Sequence, residues 1–311
     1  MGERILVVGA GATGGFFGAR LAQHGRDVTF LVRPPRAAAL SRDGLRVTGP
    51  DGTEVIDAQA VTAQDLGGGY DVVLLSVKAT GLGRALDDLA PAAGPGTAIV
   101  PFLNGLAHME VLNERFGPRR VLGAAVRVIS TLDADGTIVQ LAPLASITVG
   151  AQEGTPPSRA EDVAGLLSGA GFTVRATGDI VGAMWHKWVF IVSLGALTCL
   201  ARGTVGEVAA VPGGTGLALA ILGEAAAVAA AAGHPLPPAE RDAAAGFLTR
   251  PGSAASASMY RDLQAGRRTE VEHVFGDLIR RARSLGVATP LLDAATLTMR
   301  VHDARLGMPP G

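Results

Sequence analysis

Over its first half the chain alternates short runs of branched apolar residues with segments of helical period. Ile5-Leu-Val-Val8 runs straight into Gly9-Ala-Gly-Ala-Thr-Gly14, and Gly15 to His24 reads as a helix that stops at Gly25. Asp27-Val-Thr-Phe-Leu-Val32 reads as a second buried strand, and Asp71 to Val77 and Thr97 to Leu103 repeat the pattern around a helix at roughly Gly83 to Leu89. Unbroken apolar runs mark strands covered on both faces, as in a parallel sheet. Leu45 to Val47 and Val55 to Ala60 flank the Pro50-Asp51-Gly52 turn signal and predict a hairpin excursion. Val121 to Ile129 and Ile147 to Val149 predict further strands. Pro157-Ser-Arg-Ala-Glu161 has capping-box spacing and opens a helix ending near Gly169 to Gly171, and Phe172 to Ala176 closes the sheet.

From Asp179 onward the period is helical and no strand run recurs. Asp179 is a candidate cap for a long helix through Met184-Trp-His-Lys187-Trp to Gly195. Ser256 to Asp262 reads as a helix broken near Gly266, and Thr269-Glu-Val-Glu272 as a second capping box whose helix runs to about Leu285. Leu217 to Ala232, the most apolar run, is shorter than the ~20 residues a bilayer span needs and is expected to be a buried helix. The pattern predicts an α/β protein with an N-terminal Rossmann-type doubly wound sheet over residues 1–178 and a C-terminal all-α domain over 179–311.

Chemistry enters with the glycines. Gly9, Gly11 and Gly14 have GxGxxG spacing between a strand and a helix, which serves a tight turn, close backbone approach to a diphosphate, and close helix-on-strand packing. With Ala12 and Thr13 they form a dinucleotide-binding turn whose helix-start amides receive the diphosphate. At the end of the second strand an NAD site would place an acid. Arg33 stands there and suits a 2′-phosphate, so NADP is the expected cofactor. Lys78 and Asn104 end two further strands on the side that faces the ligand crevice of such a sheet. Asn104-Gly105 is also a common turn dipeptide.

The 311 residues are 48% hydrophobic and 18% charged, enough for two cores, and the net charge of −1 gives no reason to expect a nucleic acid or an anionic membrane as partner. Cys199 is the single cysteine, and the six histidines show no metal-ligand spacing, so no metal is expected. No basic segment with an apolar core precedes the first strand, and a cytoplasmic enzyme is expected. Of the 27 basic residues only Lys78 and Lys187 are lysine. Arginine keeps its proton, whereas lysine can give one up, so these two positions are candidates for more than charge. Lys187 shares a helix face with Ile191 and Gly195. Glu270 falls in a helical first turn and, taken alone, is best explained as an acid complementing the helix dipole.

These residues together resemble the ketopantoate reductase family, whose members reduce 2-dehydropantoate to pantoate with NADPH. The resemblance runs over nearly the whole chain and rests on the glycine fingerprint with Arg33, Ser76-Val-Lys78, Asn104-Gly105, Trp185-His-Lys187, and Ser258-Met-Tyr-Arg-Asp-Leu-Gln-Ala-Gly-Arg-Arg-Thr-Glu270. It implies Lys187 as catalytic acid and Glu270 as its partner beside the cofactor. It implies Ser258 as a ligand of the substrate carboxylate, Asn104 as a contact to substrate and cofactor, Lys78 near the nicotinamide end, and a homodimer. Members of the family carry asparagines four and eight residues after the lysine and three before the serine, where this chain has Ile191, Gly195 and Ala255. The departure leaves room for a reductase of a more apolar 2-keto acid, or of an imine formed from one. A dinucleotide-binding sensor without catalysis is the alternative from another class.

Overall fold

Ile5 and Val7 point into one hydrophobic core while Leu6 and Val8 point into another. This is the consequence of placing an unbroken apolar strand at the centre of a sheet covered on both faces. That strand, β1 (Arg4–Val8), pairs in parallel with β2 (Asp27–Leu31) on one side and β6 (Val72–Leu75) on the other, in a computed structural model that describes residues 3–50 and 52–307. β5 (Gln59–Val61) and β7 (Ala98–Pro101) complete the order β5-β2-β1-β6-β7, all parallel. The side-chain alternation continues in the neighbours, with Phe30 and Leu74 on the face of Ile5 and Leu31 and Leu75 on that of Leu6.

One face is covered by α1 (Ala12–Gln23), through Phe16, Phe17 and Leu21, and the other by α3 (Leu82–Leu89) and α4 (Ala107–Phe116), through Leu86, Leu89 and Leu112. Connecting β2 to the next strand is α2 (Pro34–Asp43), which buries only Leu40 and therefore leaves little apolar signal in the sequence.

The remaining strands build a second, mixed sheet rather than extending the first. The predicted hairpin is present as β3 (Leu45–Gly49) and β4 (Gly52–Ile56), with Asp51 of its turn outside the described residues. β8 (Gly123–Leu132) and β9 (Ile138–Gly150) pair antiparallel, and β10 (Thr173–Ala176) joins β9 in parallel, giving the order β10-β9-β3-β4. Two readings are corrected here. The run Val55 to Ala60 is divided between sheets, because β5 returns to the edge of the parallel one, and Phe172 to Ala176 closes the second sheet. Long antiparallel strands with one solvated face alternate polar and apolar residues, so only the more buried end of β9, Ile147 to Val149, was visible as a strand. The expected capping box at 157 is also absent: α5 (Pro157–Leu167) starts after Pro156 without a side-chain cap, Pro157 standing where a missing N–H costs least.

The chain divides into two units, Met1–Leu103 with His108–Ile180, and Asn104–Ala107 with Val181–Gly311. The second is helical: α6 (Ile180–Ala201), α7 (Val205–Ala209), α8 (Gly214–Ala231), α9 (Pro238–Leu248), α10 (Ser258–Gln264), a π-helical turn (Glu272–Gly276), α11 (Asp277–Ser284) and α12 (Pro290–Gly307). Helices α6 and α8 have the length and apolarity of membrane spans. Most of α6 is buried inside the unit, which accounts for its composition as a core helix. In α8 the expectation of a buried helix holds for one face only: Ala218, Ile221, Leu222 and Ala225 are buried, while Leu219 is exposed. Its one acid, Glu224, accepts hydrogen bonds from the backbone N–H groups of Leu291 (3.0 Å) and Leu292 (3.0 Å), and so caps the start of α12.

Cys199 lies fully buried in α6, and burial pushes its thiol up to about 12, with Arg202 pulling weakly the other way. The thiol stays protonated in the folded chain at a pH where the unfolded chain has released it, so folding stability falls as pH rises from about 9 toward 12. Denaturant titrations at pH 8 and 10.5 are expected to show a steeper loss for the native sequence than for Cys199→Ala. Equal slopes would show that the thiol does not contribute.

Candidate active site

In the first unit the fingerprint lies on the C-terminal end of β1. Gly9 has φ of +96°, and its N–H donates to Leu31 O (3.0 Å), which ties the turn to the end of β2. A Cβ at Gly9 would stand 2.6 Å from the Ser76 carbonyl oxygen, and one at Gly14 would stand 2.6 Å from the Ser76 Cβ. The end of β6 is thus packed directly against the turn, where only hydrogen fits. Gly11 differs: it has nothing within 4 Å of its Cβ position and precedes the first turn of α1, which carries no acidic residue. The amides of Ala12, Thr13 and Gly14 begin that helix and have no carbonyl of their own helix to bond. Open space beside unpaired helix-start amides fits a diphosphate.

Beyond β2, Arg33 is exposed and caps α2. Because Pro34 and Pro35 lack N–H groups, that helix offers little backbone to an anion, and charge recognition falls to side chains. Arg36, half-buried, donates from Nη2 to Ala10 O (3.3 Å) and Gly136 O (3.1 Å). Lys78 follows β6, exposed, at the start of a 3₁₀ turn over Ala79–Gly81.

In the helical unit Lys187 is 9% exposed on α6, in the sequence Trp185-His-Lys187-Trp188. The two indoles lie 5.0 Å apart, and Trp185 stacks on His234 at 5.9 Å. Trp188 Nε1 donates to Val274 O (2.9 Å), a carbonyl of the π-helical turn. Gly105, with φ of +75°, packs against the same indole and against His273 O, each within 3.6 Å of its Cβ position. Trp188 is therefore the point at which the segment carrying half-buried Asn104, the helix of Lys187 and the turn that follows half-buried Glu270 come together.

The expected capping box at 269 does not form. Thr269 donates its N–H and Oγ1 to Asp303 (3.0 Å each), and Glu272 forms a two-pronged pair with Arg300 (2.6 and 2.8 Å). Arg300 holds the Glu272 carboxyl below the usual carboxylate range, chiefly through those bonds. Instead of a regular α-helical start the chain makes a π turn, a form concentrated at functional sites. It directs Phe275 onto Gly195: a Cβ there would meet the ring at 2.9 Å, with the Ala257 methyl 4.0 Å away. Sequence reasoning missed Phe275, because neither the π turn nor a contact between residues so far apart leaves a periodic signal. Exposed Ser258 begins α10, which is anchored by the Tyr260 hydroxyl donating to Arg202 O (2.7 Å). Arg261 Nη1 donates to Ser256 O (3.2 Å) and braces the segment before Ser258.

A parallel sheet with this strand order and a glycine fingerprint on its central strand, followed by an all-helical unit, defines the class as a dinucleotide-dependent oxidoreductase. Residues 5–154 match the sequence profile of "Ketopantoate reductase PanE/ApbA" and residues 179–302 that of "Ketopantoate reductase PanE/ApbA C terminal". The chain belongs to the ketopantoate reductase family. It is 32% identical over 97% of its length, and 99% of the relative's, to YkpB, an uncharacterized oxidoreductase of Bacillus subtilis. Among solved structures it is similar to a 2-dehydropantoate 2-reductase from Geobacter metallireducens (TM-score 0.88, 27% identity, 96% of this chain and 99% of that one). It also shares its fold with a D-mandelate dehydrogenase solved with NADH and anilino(oxo)acetate (TM-score 0.89, 21% identity, 98% and 100%). The chain is an oxidoreductase acting on a CH–OH group with a nicotinamide cofactor.

Proposed function

We propose that the chain reduces 2-dehydropantoate to (R)-pantoate, using NADPH in preference to NADH. The observation that carries this reading is Lys187: one of two lysines in the chain, it is buried on α6 in a member of this family. NADPH, when bound, supplies the hydride. Gly9, Gly11, Ala12, Thr13 and Gly14 hold the diphosphate, Arg33 meets the 2′-phosphate, and Lys78 lies toward the nicotinamide end. Asn104 and Glu270 contact the cofactor, Asn104 also touches the substrate, and Ser258 binds the substrate carboxylate. Lys187 Nζ stabilises the negative charge that grows on the carbonyl oxygen and delivers the proton, with Glu270 as its partner. In the same reading the enzyme works in the cytoplasm as a homodimer.

One observation favours a second reading, a 2-keto acid with an apolar side group. On the stripe that carries Lys187, Ile191 stands one turn on, and Gly195, two turns on, is covered by the Phe275 ring. Buried apolar walls discriminate weakly by size, whereas hydroxyl recognition needs polar partners. Following NADPH absorbance with 2-dehydropantoate and a panel of apolar 2-keto acids, with NADH in parallel, separates the two. The first reading expects 2-dehydropantoate to have the highest kcat/KM, and an apolar acid better by roughly tenfold or more transfers the assignment to the second. No NADPH oxidation with any of them removes both.

A further inference from the structure

Arg36 stands one turn beyond Arg33 on α2, and its surroundings are unusual for a cation. Nη2 is committed to the carbonyls of Ala10, inside the fingerprint, and of Gly136, at the turn between β8 and β9. The guanidinium occupies space that any side chain at 136 would need, so a glycine there makes room for it. Nε is buried without a hydrogen-bond partner. Burial holds the pKa of Arg36 below that of an ordinary arginine, and the next cause is another cation, Arg46. Arg46 pairs with Asp135, whereas Arg36 has no ion pair with a carboxylate among the described residues.

A half-buried guanidinium with a cation for a neighbour and no acid is costly unless an anion approaches the part of it that stays open. Its location restricts which anion. The group is bonded to the glycine turn and rooted five residues past the end of β2, and the space between those two features of a dinucleotide fold holds the ribose nearest the adenine. Because Pro34 and Pro35 provide no N–H, an anion arriving there has to be met by guanidinium groups.

We propose that Arg36 is, with Arg33, a specificity-determining residue for the 2′-phosphate of the cofactor, held in place beforehand by its bonds to Ala10 and Gly136. The inference rests on the NADPH reading above. Bonds from a guanidinium to phosphate are charge-assisted, and a group already fixed to the glycine turn loses little freedom on binding. Nη2 is engaged by the protein and Nε is buried, so Nη1, which lies over Gly136, is the nitrogen left to receive the phosphate.

Calorimetric titration of NADPH and NADH into the native protein, Arg36→Met and Arg36→Lys tests it without turnover. Arg36→Met is expected to weaken NADPH by about 10- to 100-fold while NADH changes by no more than about threefold, and Arg36→Lys to fall between. Equal weakening of both cofactors would show that the arginine only braces the glycine turn, and unchanged NADPH affinity would show that it does not touch the phosphate; either overturns the proposal. If Arg36→Met does not fold, Arg36→Lys carries the same comparison. Native protein that binds both cofactors equally overturns the NADPH reading itself, whereas a native preference retained in Arg36→Met removes Arg36 alone.

Discussion

Lys187→Ala is expected to lower kcat by about 10²- to 10⁴-fold, the range for losing a positioned proton donor, while the Kd for NADPH stays within about threefold. The substitution removes a buried ammonium from α6 and leaves the Trp188 indole bond to Val274 intact, so the fold should lose little. Lys187→Arg keeps the charge and is expected to recover only a small part of the rate, because a guanidinium is a far weaker acid. Steady-state kinetics with cofactor titration on both variants reads the two effects separately. Near-native turnover in Lys187→Ala would remove the residue as the acid, and parallel loss of turnover and NADPH binding would assign it to the cofactor site.

Gly9→Ala is expected to abolish measurable cofactor binding and to cost on the order of 3 kcal/mol of stability. Two terms add: a non-glycine residue must adopt φ of +96°, and its methyl group must approach the Ser76 carbonyl at 2.6 Å, where backbone rather than a flexible side chain has to yield. Gly11→Ala provides the contrast. Its φ of −87° is open to any residue and no atom lies within 4 Å of the new methyl, so the variant should melt like the native protein. It should nevertheless bind NADPH weakly, because the methyl enters the space assigned to the diphosphate. Thermal unfolding and calorimetry on the pair decide the matter: a Gly11→Ala protein with native affinity would move the diphosphate elsewhere.

The parallel sheet was legible because each of its central strands is apolar on both faces, and the fingerprint was legible because backbone geometry at Gly9 and Gly14 admits no other residue. Helix α2 was missed because it opens with two prolines and buries a single leucine, and α4 because its few buried residues do not stand out from the polar ones. The second sheet was only partly legible, since a strand solvated on one face shows no continuous run. The two capping-box readings failed for different reasons. At 157 the helix opens after Pro156 with Pro157 in its first turn and no side-chain cap, whereas at Thr269 and Glu272 better partners, Asp303 and Arg300, come from α12. Of the candidate residues, the strand-end and glycine positions followed from the sheet. Lys187, Ser258 and Glu270 came from residue identity and resemblance, because helical segments do not announce which face they turn inward.

The π turn at Glu272–Gly276 is, in bookkeeping terms, one residue more than the helix needs. Deleting that residue would restore ordinary winding and turn everything before it by about 100° relative to α11. Thr269 would leave Asp303, Glu270 would swing to another side of the helix, and Phe275 and Val274 could not both keep their places on Gly195 and Trp188. A site joined at so many points through a single surplus residue tolerates substitution far better than a change of chain length. Divergence among relatives at this place is accordingly expected in the side chains of the turn and not in the number of its residues.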